Sequence, residues 1–364
     1  MKKKLLLFMW FLCSLVFYSC QKNIKDLDMV ASNDASLSKS FGGRDGSICP
    51  ARLTDGIFAE VPYEHEATNV FTEGPAVDKQ GNVFFTDQNH DKIYRWDAKT
   101  GNVKLWLTGT GRSNGMEFDG DGNLIACADM HGELWKIRPN GSHEVLVNNY
   151  KGKLLNGPND VWINPENAGI YITDPIFPRP YWDASDPRQQ PWEPTHSEQA
   201  ERGKGGHVYY LAKGSHRLVR VTTMPGWNTD SWPNGVVGTP DGKKLYVNQW
   251  SYDGSGGIWV FDIKHDGTLT NMKTFVAGLD FCDGMSLDKC GNIYVCAGGG
   301  VQVYNPKGDN ILTIPVPSAN NVFAGKDEKT LFITGGGSGM IFTQKMNING
   351  VEKFGDGGRG HDHN

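Results

Sequence analysis

A short segment recurs six times along the chain, and each copy opens on a side chain that carries an oxygen. The copies begin Glu73-Gly-Pro-Ala-Val-Asp, Asn114-Gly-Met-Glu-Phe-Asp, Asn159-Asp-Val-Trp-Ile-Asn, Asn234-Gly-Val-Val-Gly-Thr, Asp283-Gly-Met-Ser-Leu-Asp and Asn320-Asn-Val-Phe-Ala-Gly. Each then passes a turn rich in Gly, Asp or Lys and enters a β-rich stretch such as Val83-Phe-Phe-Thr or Ile293-Tyr-Val-Cys. The steps between starting residues are 41, 45, 75, 49 and 37. The long step holds a Pro- and Trp-rich insert, residues 175–206; without those 32 residues it is 43. A period of roughly 40–50 residues with several strands per unit predicts an all-β fold, a six-bladed β-propeller. Equivalent positions of a propeller converge on one axis, so Glu73, Asn114, Asn159, Asn234 and Asp283 are expected at one mouth of the channel. Oxygen donors without His or Cys suit a hard divalent cation.

Further strands follow each repeat start, among them Lys92-Ile-Tyr-Arg-Trp, Gly132-Glu-Leu-Trp-Lys-Ile and Val301-Gln-Val-Tyr. They alternate as half-buried strands do. A strand from residues 49–61 is expected to close the ring against blade six. The insert contains Pro178, Pro180, Tyr181, Trp182 and Trp192 and begins directly after Asp174, at the end of an inner strand. A loop this long inside a compact fold is usually functional, so it reads as a lid or rim; a surface excursion is the alternative.

The 364 residues fit one large domain, because each blade needs its neighbours to bury its faces. The net charge of −5 carries no basic stripe, which argues against nucleic acid as a partner. The N-terminus reads as a targeting segment: Met1-Lys-Lys-Lys, then an apolar run too short for a comfortable membrane span, ending Tyr18-Ser-Cys20. A small residue before Cys at that place resembles a bacterial lipobox. Residues 1–20 then form a lipoprotein signal peptide, Cys20 is lipidated, and the protein is exported to the cell envelope and held at a membrane by its lipid. A plain signal peptide cleaved nearby is the alternative. Residues 21–48 read as a flexible tether, residues 49–350 as the propeller and residues 351–364 as a disordered tail. Beyond Cys13 and Cys20 there are five cysteines, an odd number that leaves at least one thiol unpaired. Cys127 and Cys296 fall in expected strands, where a small buried hydrophobe is the expected role. No feature of the sequence assigns an oligomeric state.

The segments Glu73-Gly-Pro-Ala, Gly157-Pro-Asn-Asp-Val-Trp, Ile170-Tyr-Ile-Thr-Asp-Pro, Pro233-Asn-Gly and Asp283-Gly-Met-Ser-Leu-Asp, in this order and at blade spacing, resemble the senescence marker protein 30/gluconolactonase family. The resemblance runs from about residue 71 to residue 344. It implies a six-bladed propeller with one divalent cation near the channel mouth, usually calcium and in some members zinc, magnesium or manganese. Carried over residue by residue, it implies that Glu73, Asn234 and Asp283 hold the ion and that Asn159 contacts ion or substrate. It also implies Asp283 as general base, with an ion-activated hydroxide as the competing mechanism. Asn114, His131 and Asp174 are the further candidates for substrate contact. Animal members carry an Arg where this chain has Gly157, so the grip on substrate must come from elsewhere, and Arg179 or Tyr181 of the insert are candidates.

The reading that follows is a metal-dependent hydrolase opening a sugar-acid lactone. Hydrolysis of another ester or an organophosphate on the same ion is a second reading. A surface-anchored binding propeller with structural calcium is a third.

Overall fold

Each repeat folds as an antiparallel sheet of four strands, and the six sheets stand around one axis. The computed structural model describes residues 49–351 except 57, 178, 180–205, 225, 228–231 and 252. The signal segment with Cys20, the tether, the tail beyond residue 351, and most of the insert including Tyr181 lie outside the described residues. The first strands of the six blades are Thr72–Val77, Ser113–Phe118, Val161–Ile163, Trp232–Gly238, Met285–Leu287 and Asn320–Ala324. Each touches the first strands of its two neighbours, so these six line the axis. In blade one the strands run Thr72–Val77, Val83–Asp87, Lys92–Trp96 and Val103–Thr108; the first two are wholly buried and the last is largely open.

The turns between first and second strands explain a recurring piece of sequence. In blades one, two and five an Asp and an Asn four residues later clamp each other. Asn82 donates its Nδ2 to Asp78 Oδ2 at 2.8 Å, Asn123 to Asp119 Oδ2 at 3.0 Å and Asn292 to Asp288 Oδ2 at 2.7 Å. The same Asp accepts the backbone N–H of the Asn, so the turn is held independently of the sheet.

The core is six apolar layers, one at each blade–blade contact. Phe85 and Tyr94 of blade one meet Phe332 and Ile341 of blade six; Tyr294 and Val303 of blade five meet Phe323 and Ile333 of blade six. Each such side chain, fully buried, contributes roughly 1.5–3 kcal/mol. A blade taken alone would expose two of these layers, which is why the repeat is stable only as a ring.

Ring closure comes from the N-terminal side. The strand Phe58–Glu60 pairs antiparallel with Ile341–Lys345 and becomes the outer strand of blade six. Cys49 is joined to Cys290 in a turn of blade five by a disulfide spanning 241 residues of sequence. Cys127, Cys282 and Cys296 are buried thiols. The outer strand of blade four, Leu269–Leu279, is 11 residues long and pairs with its neighbour through several register shifts.

Candidate active site and metal centre

The ladder slips at the repeat start in blades one, two and four. Glu73 pairs with Thr86 but Ala76 with Phe84; Ser113 pairs with Ala128 but Met116 with Ala126; Pro233 pairs with Gln249 but Val236 with Val247. Each slip is a β-bulge, which bends the strand and re-aims the side chain at the bulge. In blades three and five the first strand begins only at Val161 and Met285, just beyond Asn159 and Asp283. There the backbone N–H of Asn159 donates to Thr173 O at 2.9 Å and that of Asp283 to Cys296 O at 2.7 Å. Blade six keeps an unbroken ladder from Asn320 onward.

The glycine after the oxygen-bearing residue is where one blade touches the next. A Cβ on Gly74 would lie 1.8 Å from Asn114 O, on Gly115 2.7 Å from Asn159 O, on Gly235 2.4 Å from Asp283 O, and on Gly284 1.8 Å from Asn320 Oδ1. Asn320 Nδ2 then donates to Glu73 Oε2 at 3.4 Å and completes the circle. Blades three and six carry Asp160 and Asn321 instead of Gly, and both bridge blades. Asp160 Oδ2 accepts the Val236 N–H at 3.1 Å, and Asn321 Nδ2 donates to Gly284 O at 3.4 Å.

Glu73 and Asp283, from blades one and five, bring their carboxyl groups into hydrogen-bonding contact. Glu73 is buried and Asp283 half-buried. Burial pushes Asp283 well above the usual carboxylate range, and the charges of Glu73 and Asp160 push it further. Burial also raises Glu73, against the Gly74 N–H, Asn320 and the Arg179 charge, which favour its ionised form. Asp160 is pushed up to about 7 by burial, opposed by the N–H groups of Val236 and Val161. Two carboxyls this close, each short of solvent, favour either a shared proton or a cation between them.

Asn234 adds a carboxamide to this ring. Its Nδ2 donates to Cys282 O at 3.3 Å, which sets the orientation of the carboxamide. Its Oδ1 is buried without a hydrogen-bond partner among the described residues. A carboxamide oxygen left without a partner and a pair of carboxyls are the donor types a hard cation takes. Asn159 and Asn114 are buried at the neighbouring places of the ring. Among the described residues no group of three or more His, Cys, Asp or Glu is arranged for a metal, so the oxygen set here depends on its carboxamides.

The remaining candidates stand apart from that ring. Asp174 accepts the N–H of Asn156 at 3.1 Å and of Gly157 at 3.0 Å, so it holds the turn that delivers Asn159. His131 is exposed on the rim, in the short 3-10 turn Asp129–His131, with its ring stacked on Trp135 at 5.6 Å. Arg179 Nε donates to Asp129 Oδ2 at 2.7 Å, and its charge is felt by Glu73 and Asp283. Sequence reasoning missed Asp129, Gln88, Asp160 and Asn248. Asn248 Oδ1 accepts the Gly235 N–H at 3.1 Å and its Nδ2 donates to Asp283 O, so it ties blade four to the Asp283 backbone. Only Asp160 had a visible signal, as the residue standing where other repeats have Gly. An aromatic wall stands at the start of the first strand of blade four, where Trp232 precedes Asn234 by two residues. Phe177, Trp232, Trp250 and Phe281 contact one another with centroids 5.1–5.8 Å apart.

A sequence model described as SMP-30/gluconolactonase/LRE-like region matches residues 71–337. A gluconolactonase of Zymomonas mobilis subsp. mobilis is 28% identical over 338 residues, covering 84% of this chain and 88% of the relative. A gluconolactonase structure from Xanthomonas campestris superposes with a TM-score of 0.65 at 27% identity, covering 81% of this chain and 91% of that one. Regucalcin of Agrobacterium tumefaciens, described as a calcium-binding protein, gives a TM-score of 0.58 at 18% identity and covers 80% and 94%; the likeness there is one of fold.

Proposed function

Because the chain belongs to the SMP-30/gluconolactonase/LRE-like family, we propose that it is a lactone hydrolase acting on a sugar-acid lactone at the mouth formed by Glu73, Asn159, Asn234 and Asp283. The observation that carries the reading is the contact between two buried or half-buried carboxyls, from distant blades, beside the orphaned Oδ1 of Asn234. Two acids and two carboxamides would hold one divalent cation, with calcium the first candidate and magnesium, manganese or zinc as alternatives. Bound there, the cation would act as a Lewis acid toward the lactone carbonyl.

The chain's own groups supply the rest. Asp283 lies in a setting that raises its proton affinity, so its carboxylate is the candidate to take a proton from the attacking water. The new C–O bond forms at the carbonyl, the ring C–O bond breaks, and the proton passes to the departing ring oxygen. Asn320 Nδ2 and the Gly74 N–H both donate to Glu73 Oε2 and hold that carboxyl in place. Asp174 acts through the 156–157 turn, and Asn114 and His131 are candidates for contact with substrate hydroxyls.

The aromatic wall favours a second reading, in which the substrate is an aryl ester or a phosphotriester. Acid release from D-glucono-1,5-lactone, phenyl acetate and a neutral phosphotriester, each with wild type and Asp283→Asn, separates the two. The lactone is expected to be turned over fastest and the variant to lose at least about a hundredfold. Faster turnover of either alternative would move the reading to that class. Cys20 is proposed as the lipid anchor of an exported protein; the Cys49–Cys290 disulfide suits an oxidising compartment.

A further inference from the structure

Arg179 is five residues past the end of the blade-three strand Ile170–Asp174, at the start of the insert. Its Nε donates to Asp129 Oδ2, and the same oxygen accepts Gln88 Nε2 at 2.8 Å. The Phe177 ring lies 5.6 Å from the guanidinium carbon. The Arg179 side chain is 15% exposed and that of Asp129 only 1%. Its charge is felt by both Glu73 and Asp283. An arginine from blade three is thus held by an aspartate of blade two and, through it, a glutamine of blade one, within electrostatic reach of carboxyls of blades one and five. Desolvating a guanidinium and a carboxylate is costly, and a pair serving only stability is often replaceable by apolar packing. A guanidinium carries five donors in a rigid plane, and the bond to Asp129 fixes that plane relative to the mouth.

We propose that Arg179 is the specificity-determining residue of this mouth, gripping hydroxyl oxygens of a polyhydroxylated lactone, with Asp129 as its positioning residue. The inference rests on the lactonase reading and names what that reading leaves open, the part of the substrate that is recognised. The reacting carbonyl sits at Glu73 and Asp283. The guanidinium, anchored on the blade-two side, meets the hydroxylated edge of the ring, and the wall of Phe177, Trp232 and Trp250 is left for the ring's C–H face. A site built to hydrogen-bond hydroxyls rejects the analogue that lacks them, because its polar groups are then left without partners.

The test compares kcat/KM for D-glucono-1,5-lactone with that for δ-valerolactone, the same ring without hydroxyls, in wild type, Arg179→Gln, Arg179→Lys and Asp129→Asn. Thermal melts check that each variant is folded. Wild type is expected to prefer the hydroxylated lactone by about a hundredfold or more. Arg179→Gln should reduce that preference about thirtyfold, mainly through KM, and Arg179→Lys should restore only part, since an ammonium lacks the planar fork. Asp129→Asn should fall between wild type and Arg179→Gln. An unchanged preference in Arg179→Gln, whether both activities fall together or neither falls, would overturn the proposal while leaving the lactonase reading intact. A wild type that opens neither lactone would overturn both.

Discussion

Asn234 is the residue at which the structure speaks most directly about a ligand. Its Oδ1 is buried without a partner among the described residues, a state that costs about 1–3 kcal/mol unless something occupies the site. Asn234→Ala is therefore expected to lower divalent-cation affinity at least about tenfold, about 1.4 kcal/mol, while the melting temperature of chelated protein stays level or rises. A chelated variant that melts well below wild type would mean the carboxamide is structural. Asp160 makes a second test. Its folded pKa of about 7 lies above the usual value near 3.9, so the folded state binds the extra proton. Stability is then fully present below about pH 4 and is lost as pH rises through about 7. Glu73 and Asp283 shift in the same direction. Chelated protein should have a higher denaturant midpoint at pH 5 than at pH 8, and Asp160→Asn should flatten that slope. A saturating divalent cation should reverse it, because its ligands must be ionised. An identical slope in wild type and Asp160→Asn would remove Asp160 from the account. The ring of Glu73, Asn159, Asn234 and Asp283 was legible because repetition marks a position shared by six blades. Asp129 and Gln88 were not, since their bond joins two blades through side chains that no period relates.

The bulge and its glycine are the element that turns a repeat into a site. Gly235→Ala would place a Cβ 2.4 Å from the Asp283 backbone oxygen, so a blade must move, at about 1–3 kcal/mol. Stability and cation affinity are both expected to fall, as read by denaturant midpoint and calorimetric titration. Gly120→Ala, with nothing within 4 Å, should change neither. If Gly235→Ala left cation affinity untouched, blade spacing would not govern the site. The outer strand Phe58–Glu60 and the Cys49–Cys290 bond form the closure of the ring. Cys49→Ser with Cys290→Ser is expected to cost about 2–5 kcal/mol. The strands and the closing strand could be read from alternation and period. The bulges could not, because Asn-Gly and Glu-Gly-Pro also suit ordinary turns. The pairing of Cys49 with Cys290 follows only from the folded ring, which brings residues 241 apart in sequence together.

At the scale of the whole molecule, six apolar layers fix six repeat starts around one axis, so no single blade owns the site. The rigidity of that arrangement explains how residues as far apart as Glu73 and Asp283 come into contact without a dedicated loop. The proposed anchor makes a prediction of its own: labelled palmitate should be incorporated into the full chain and lost in Cys20→Ser, which should move to the soluble fraction. Label retained in Cys20→Ser would point to another residue. The central claim joins an ion to a reaction, and one measurement addresses it most directly. Chelated protein is titrated calorimetrically with calcium, magnesium, manganese or zinc, and acid release from D-glucono-1,5-lactone is followed on the same samples. One ion per chain, with activity rising in step with occupancy and absent in chelator, is the expected result. Full occupancy without lactone opening above the spontaneous rate would contradict it and leave a propeller whose ion serves structure or binding. Full activity in chelator would remove the ion from the mechanism.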